Sequence, residues 1–192
     1  MSKAKRYSPS KLLKYIECPA QYADLYGRGW DNRVKQEPSA IPDAGKIAHK
    51  VLELAGRRRL NKPLGERDPV TKKELLELLE IALRDPPDQD WKDPTILTPE
   101  VAESAHRLLS TPNCWKKVSF ARTIDVERPF YQPISGGPQF RALLPAFELS
   151  GIIDRSDEMP DGRIKIVDYK TGWSVMSRAE AELDPQVNMY LA

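Results

Sequence analysis

Two apolar runs between Phe147 and Trp173 organise the rest of the chain. The stretch reads FELSGIIDRSDEMPDGRIKIVDYKTGW, and its runs Phe147–Arg155 and Arg163–Thr171 are separated by a turn-forming MPDG. Ile, Val, Phe and Tyr fill the runs, while Pro160, Asp161 and Gly162 supply turn chemistry, so the pattern predicts a β-hairpin. With the turn centred on Asp161, Asp154 falls directly opposite Asp168. Alternation along each strand then places Ile152 and Asp154 on the face of Ile166, Asp168 and Lys170.

Upstream the spacing is mostly helical. Ser8 and Pro9 form a helix start, followed by an apolar face of Leu12, Leu13, Tyr15 and Ile16. Cys18-Pro19 interrupts this helix, and Ala20–Tyr26 resumes it. Gly27–Pro42 is a polar loop without a period. Asp43–Arg59 predicts a helix with Ile47, Val51 and Leu54 inward. Thr71–Arg84 is the clearest helix, with Thr71 and Glu74 as a capping box. Asp85–Pro99 is proline-rich and irregular, and Pro99–Ser110 is a second amphipathic helix capped by Thr98. Phe120–Tyr131 begins the sheet, Ser135–Pro138 turns, and Asp184 caps a final helix, DPQVNMYLA. The chain stops within that helix, as a piece of a longer protein would. The expected architecture is one α/β domain over residues 1–192, with a helical insertion at about 60–112.

Composition narrows the function classes only slightly. A formal net charge of +2 over 192 residues gives no global field for nucleic acid, so a binding surface has to come from local patches. Cys18 and Cys114 suggest neither a disulfide framework nor a four-thiolate cluster. No apolar run approaches the roughly 18 residues that span a membrane, and no signal core precedes Ser8, so a cytoplasmic location is expected.

The chemistry lies in the hairpin. Directly opposed residues have Cβ atoms roughly 4.5–5.5 Å apart, and two carboxylates so close repel unless a positive charge sits between them. A divalent cation with oxygen ligands meets that need, and Lys170 adds a fixed charge. The alternative is a solvated strand face that carries charges by chance. His49 flanks its helix stripe beside Gly45 and Ala48, and a lone histidine there is ordinarily structural or superficial. Glu127 reads equally as an exposed strand acid or a member of the site. Tyr15, Tyr22 and Tyr26 either pack the first helices together or stack bases. The Arg57–Arg58–Arg59 cluster either complements the helix dipole or meets phosphate. No P-loop, Rossmann glycine pattern, nucleophile elbow or zinc-type cysteine spacing is present, which leaves hydrolysis assisted by an oxygen-ligated metal.

The motifs also occur in a familiar order. YSPSKLLKYIECPAQYADLY, GKIAHKVLE, GIIDR, IVDYKTG and QVNMY together resemble the RecB-like branch of the PD-(D/E)XK nuclease superfamily, which includes helicase–nuclease subunits and CRISPR-associated RecB-like exonucleases. The resemblance implies a restriction-endonuclease-like fold, a small mixed β-sheet flanked by helices. It implies metal-dependent hydrolysis of DNA phosphodiesters, as an exonuclease in repair, recombination or phage DNA processing. By the same resemblance His49, Asp154, Asp168 and the Tyr169 backbone carbonyl are metal ligands, with Asp154, Asp168 and Lys170 catalytic. Gln186, Tyr190 and Arg155 contact the substrate. The metal is Mg²⁺ or Mn²⁺, with a histidine ligand favouring Mn²⁺ more than an all-oxygen site would. Cys18 matches the first of four cysteines that hold an iron–sulfur cluster in some members, but Cys114 is misplaced and the other matching positions fall beyond this sequence. Either the cluster is absent or the chain is a fragment of a longer protein, and no cluster is expected in this chain. A helicase or recombination protein is the implied partner, and no membrane is. The alternative function is a catalytically inactive DNA-binding or scaffolding subunit. The retained His49, Asp154, Asp168, Lys170 and Gln186 argue against it.

Overall fold

A computed structural model describes residues 5–27, 40–84, 98–116, 118–134, 147–171 and 176–191. Its strands are β1 (Lys5–Tyr7), β2 (Thr123–Ile134), β3 (Phe147–Glu158) and β4 (Ile164–Val167). The helices are α1 (Pro9–Glu17), α2 (Pro19–Tyr22) continued by a π-turn, α3 (Ala40–Leu60), α4 (Lys72–Arg84), α5 (Pro99–Ser110), α6 (Pro112–Trp115), α7 (Arg178–Leu183) and α8 (Pro185–Leu191). The fold is mixed α/β, a small mixed sheet flanked by helices. In it β1 runs parallel to β3, β2 also pairs with β3, and β4 is antiparallel to β3. The expected loop before α3 and the proline-rich stretch after α4 lie largely outside the described residues. The turn at Ser135–Pro138 lies wholly outside them.

The chain divides into two compact units. One comprises Met1–Lys35, Arg128–Ile153 and Val175–Ala192, the other Gln36–Glu127 and Asp154–Ser174.

The second unit holds most of the buried apolar residues. Ala44, Ile47, Ala48, Val51, Leu52 and Ala55 recur along α3 at intervals of three and four, which puts them on one helical face. Leu75, Leu78, Leu79 and Ala82 of α4 and Val101, Ala105 and Leu109 of α5 do the same, and the three stripes join Phe120 and Val126 in one cluster. Burying each leucine stabilises the fold by roughly 1.5–3 kcal/mol. The helices between residues 60 and 112 therefore build this core.

The Thr71 hydroxyl accepts from the Glu74 N–H at 3.1 Å, the expected half of the α4 cap. The Glu74 carboxylate goes instead to Arg59, whose two terminal nitrogens donate to it at 2.8 and 2.6 Å. Arg59 is 5% exposed and also donates to the backbone carbonyls of Ala55, Asp68 and Pro69. Arg57 pairs with Glu53 at 2.6 Å. Arg59 is thus committed to internal partners, while the side chains of Arg57 and Arg58 stay about half exposed.

In the first unit, α1 carries the expected Ser8 cap and packs against α8. Tyr22 lies 5.4 Å from Tyr15 and 5.1 Å from Tyr26, ring centre to ring centre, so the three tyrosines pack together. Two short elements, β1 and α7, were not expected from the sequence. The first is only three residues long, and the second depends on a local capping box between Ser177 and Glu180.

Candidate metal centre

The hairpin register is the one that a turn centred on Asp161 predicts. Arg155 pairs with Val167, Ser156 with Ile166 and Asp157 with Lys165. Gly162 closes the turn at φ +80°, a conformation open to glycine at no steric cost. The second strand is shorter than expected, because β4 ends at Val167 and Asp168–Thr171 continues without strand pairing. The cause is a competing acceptor: the Tyr169 N–H donates to Asp154 Oδ2 at 2.6 Å rather than to a ladder carbonyl. The carboxylate is thereby clamped by backbone at the point where the ladder stops.

Helix α3 brings His49 to the same carboxylate, with His49 Nδ1 3.6 Å from Asp154 Oδ1. One turn earlier α3 passes close to the end of the hairpin, since a Cβ at Gly45 would lie 2.6 Å from the Thr171 Oγ1. The imidazole meets the Tyr169 ring edge to face at 5.8 Å. Burial pulls the His49 pKa down, but the hydrogen bond and charge of Asp154, a hydrogen bond to the Tyr169 backbone and the charge of Glu127 outweigh it. The net direction is up.

Glu127 completes the group. Among the described residues, His49, Glu127 and Asp154 each offer a ligand atom within 4.8 Å of the others, and all three are half-buried. Burial, with the charges of Asp154 and Glu53, raises the Glu127 carboxyl above its ordinary range. Its backbone sits at φ 50°, where a residue with a side chain is uncommon and strained. One imidazole and two close carboxylates, one of them destabilised as an anion, form a donor set that a divalent cation would satisfy.

Asp168 falls outside this tight group, and its Oδ2 is held by Lys170 Nζ at 2.8 Å. Arg155, expected at the substrate, is instead buried. Its side chain is 7% exposed and donates to Asp157 at 3.1 Å and to the Tyr169 hydroxyl at 3.3 Å. Asp157 also accepts from the Thr123 hydroxyl at 2.7 Å. Burial pushes the Tyr169 phenol up to about 12, so this hydroxyl stays protonated at any ordinary pH. Gln186 and Tyr190 belong to the other compact unit. There the Gln186 amide donates to the Tyr190 hydroxyl at 2.7 Å, which donates in turn to the Ile152 carbonyl at 3.0 Å.

Sequence spacing could not single out Glu127, since its strand shows no pattern that distinguishes a ligand from an exposed acid. Only the tertiary approach of β2 to α3 and β3 separates the two readings.

An α/β core that brings one imidazole and two carboxylates within reach of one another offers a candidate metal site. The chain belongs to the PD-(D/E)XK nuclease superfamily, whose model matches residues 6–192. No match was found among curated proteins. Among the described residues, no helix is long and apolar enough to cross a membrane.

Proposed function

We propose that this chain is a metal-dependent deoxyribonuclease, cutting DNA phosphodiesters as a RecB-like exonuclease in repair or recombination. The observation that carries the reading is the group of His49, Glu127 and Asp154, with the Asp168–Lys170 pair following in the same hairpin. His49, Glu127 and Asp154 would hold Mg²⁺ or Mn²⁺, with Asp168 and the Tyr169 carbonyl, expected from the resemblance, as further candidate ligands. When bound, the cation supplies positive charge that polarises a phosphate oxygen and acidifies a water.

The chain's own residues do the rest. The Tyr169 N–H fixes the Asp154 carboxylate, and Asp168 holds the Lys170 ammonium, which is half-exposed and can meet charge developing on the phosphate. Arg155 acts through Tyr169 as a positioning residue rather than by touching DNA. Gln186 and Tyr190 contact the nucleic-acid backbone, and a helicase or recombination protein delivers the strand.

The test is cleavage of end-labelled single- and double-stranded DNA with Mg²⁺ or Mn²⁺, comparing the wild-type chain with Lys170→Ala. Cutting by the wild type that falls at least a hundredfold in the variant, in line with the loss of one preorganised charge, supports the reading. A ladder of single-nucleotide steps supports exonuclease action. The absence of both cutting and Mn²⁺ binding overturns it.

A further inference from the structure

Within the first compact unit, a cleft of about 510 Å³ is lined by Arg6, Ser8, Ser10, Tyr131, Ser150 and Gln186, among others. We infer that this cleft is a subsite for one unpaired nucleotide, its base stacked on Tyr131 and its phosphate met by Arg6 and the serine hydroxyls. The assignment rests on the nuclease reading for its biological context but not for its chemistry.

Three observations carry it. The first is size, since 510 Å³ falls in the range of small-molecule sites and suits a single nucleotide rather than a duplex. The second is the lining. Tyr131 is 56% exposed and Ile152 54% exposed, so flat and apolar surface stays open to solvent beside polar groups. Aromatic faces of this kind take bases without regard to sequence, and only an unpaired base offers its whole face.

The third is a prepared cation. The Arg6 guanidinium carbon lies 4.9 Å from the centre of the Tyr131 ring, while Glu148 accepts from its Nε at 2.7 Å. The acid orients the guanidinium along one edge, and the side chain nevertheless stays 62% exposed. An arginine so placed, stacked on an aromatic ring and largely exposed, suits a phosphodiester. The Gln186–Tyr190–Ile152 hydrogen-bond relay stiffens the same wall. Phe130 packs against two of its residues, meeting the Tyr190 ring at 5.7 Å and approaching Gly151 so closely that a Cβ there would lie 2.6 Å from Phe130 Cε1.

The experiment is fluorescence anisotropy of a labelled oligothymidylate against the full chain in EDTA, where no cutting occurs. Tyr131→Ala is expected to weaken binding by about tenfold or more, and Tyr131→Phe to retain it. Arg6→Ala should weaken binding and reduce the slope of log affinity against log salt by about one phosphate's share. An oligonucleotide carrying abasic sites should bind the wild type less well, while Tyr131→Ala should not distinguish it from the intact strand. Wild-type affinity in Tyr131→Ala, or an equal loss for duplex and single strand, overturns the subsite. Cleavage assays keep the two readings apart. If the wild type cuts DNA with metal but the Tyr131 variants bind normally, the subsite falls and the nuclease stands. If binding depends on Tyr131 but no metal supports cutting, the nuclease falls and the subsite stands.

Discussion

Glu127 combines a strained backbone with a carboxylate that its surroundings disfavour as an anion. Its φ of 50° is a conformation that costs a side-chain-bearing residue of order 1–3 kcal/mol, and its carboxyl is half-buried near the charge of Asp154. Replacing it by glycine relieves both strain and repulsion. Glu127→Gly should therefore raise the stability of the metal-free protein by about 1 kcal/mol while weakening Mn²⁺ binding, read by urea unfolding and calorimetry. Tyr169 offers a complementary case. Its backbone holds Asp154 in every variant, but only its ring meets His49 and only its hydroxyl meets Arg155. Tyr169→Ala should lower Mn²⁺ affinity about tenfold, as loss of a ligand's supporting partner does, and Tyr169→Phe should stay close to wild type. Arg155 was legible in the sequence as a residue of interest but not as a buried one. A charge following a strand aspartate looks like a substrate contact until Asp157, Phe120 and Tyr169 are seen to enclose it.

Among the elements, the hairpin was the most legible, because turn chemistry at Asp161–Gly162 determines the pairing register independently of distant contacts. Helices α4 and α5 were legible too, since threonine caps and leucine spacing are local signals. What local signals cannot convey is where a strand yields to another demand, as β4 does when the Tyr169 N–H turns to Asp154. Helix α3 was partly legible: its stripe is periodic, but its full length and its glycines acquire meaning only in the packed core. At Gly56 a Cβ would lie 2.6 Å from Val126 Cγ1 and 3.0 Å from Phe120 Cε1. Gly56→Val should thus destabilise the protein by about 2 kcal/mol or more through overpacking, measured as a lowered urea midpoint with an unchanged slope.

For the whole molecule, acid stability reports on the α3–α4 clamp. The hydrogen bond from Arg59, with its charge and that of Arg58, holds Glu74 below its ordinary value of 4.5. A carboxylate with a depressed folded-state pKa contributes stability that is present above its unfolded value and lost as pH falls through the folded one. Thermal unfolding followed by circular dichroism should show melting temperature dropping below pH 4.5, and Glu74→Gln should flatten that dependence while being less stable near neutrality. The candidate site was only half legible: motif order pointed to His49, Asp154, Asp168 and Lys170, whereas only the geometry brings Glu127 beside His49 and Asp154 and buries Arg155.

The narrow gap at Gly45 has a diagnostic consequence. With Thr171 Oγ1 standing where a Cβ would crowd it, position 45 acts as a gauge of how near α3 can come to the hairpin. A chain could keep histidine, both aspartates and lysine and still be silent if a bulky residue stood there, since the imidazole would be held off its carboxylate. Sorting active from inactive sequences by their polar residues alone would misfile such chains, and the informative letter would be the one with no side chain.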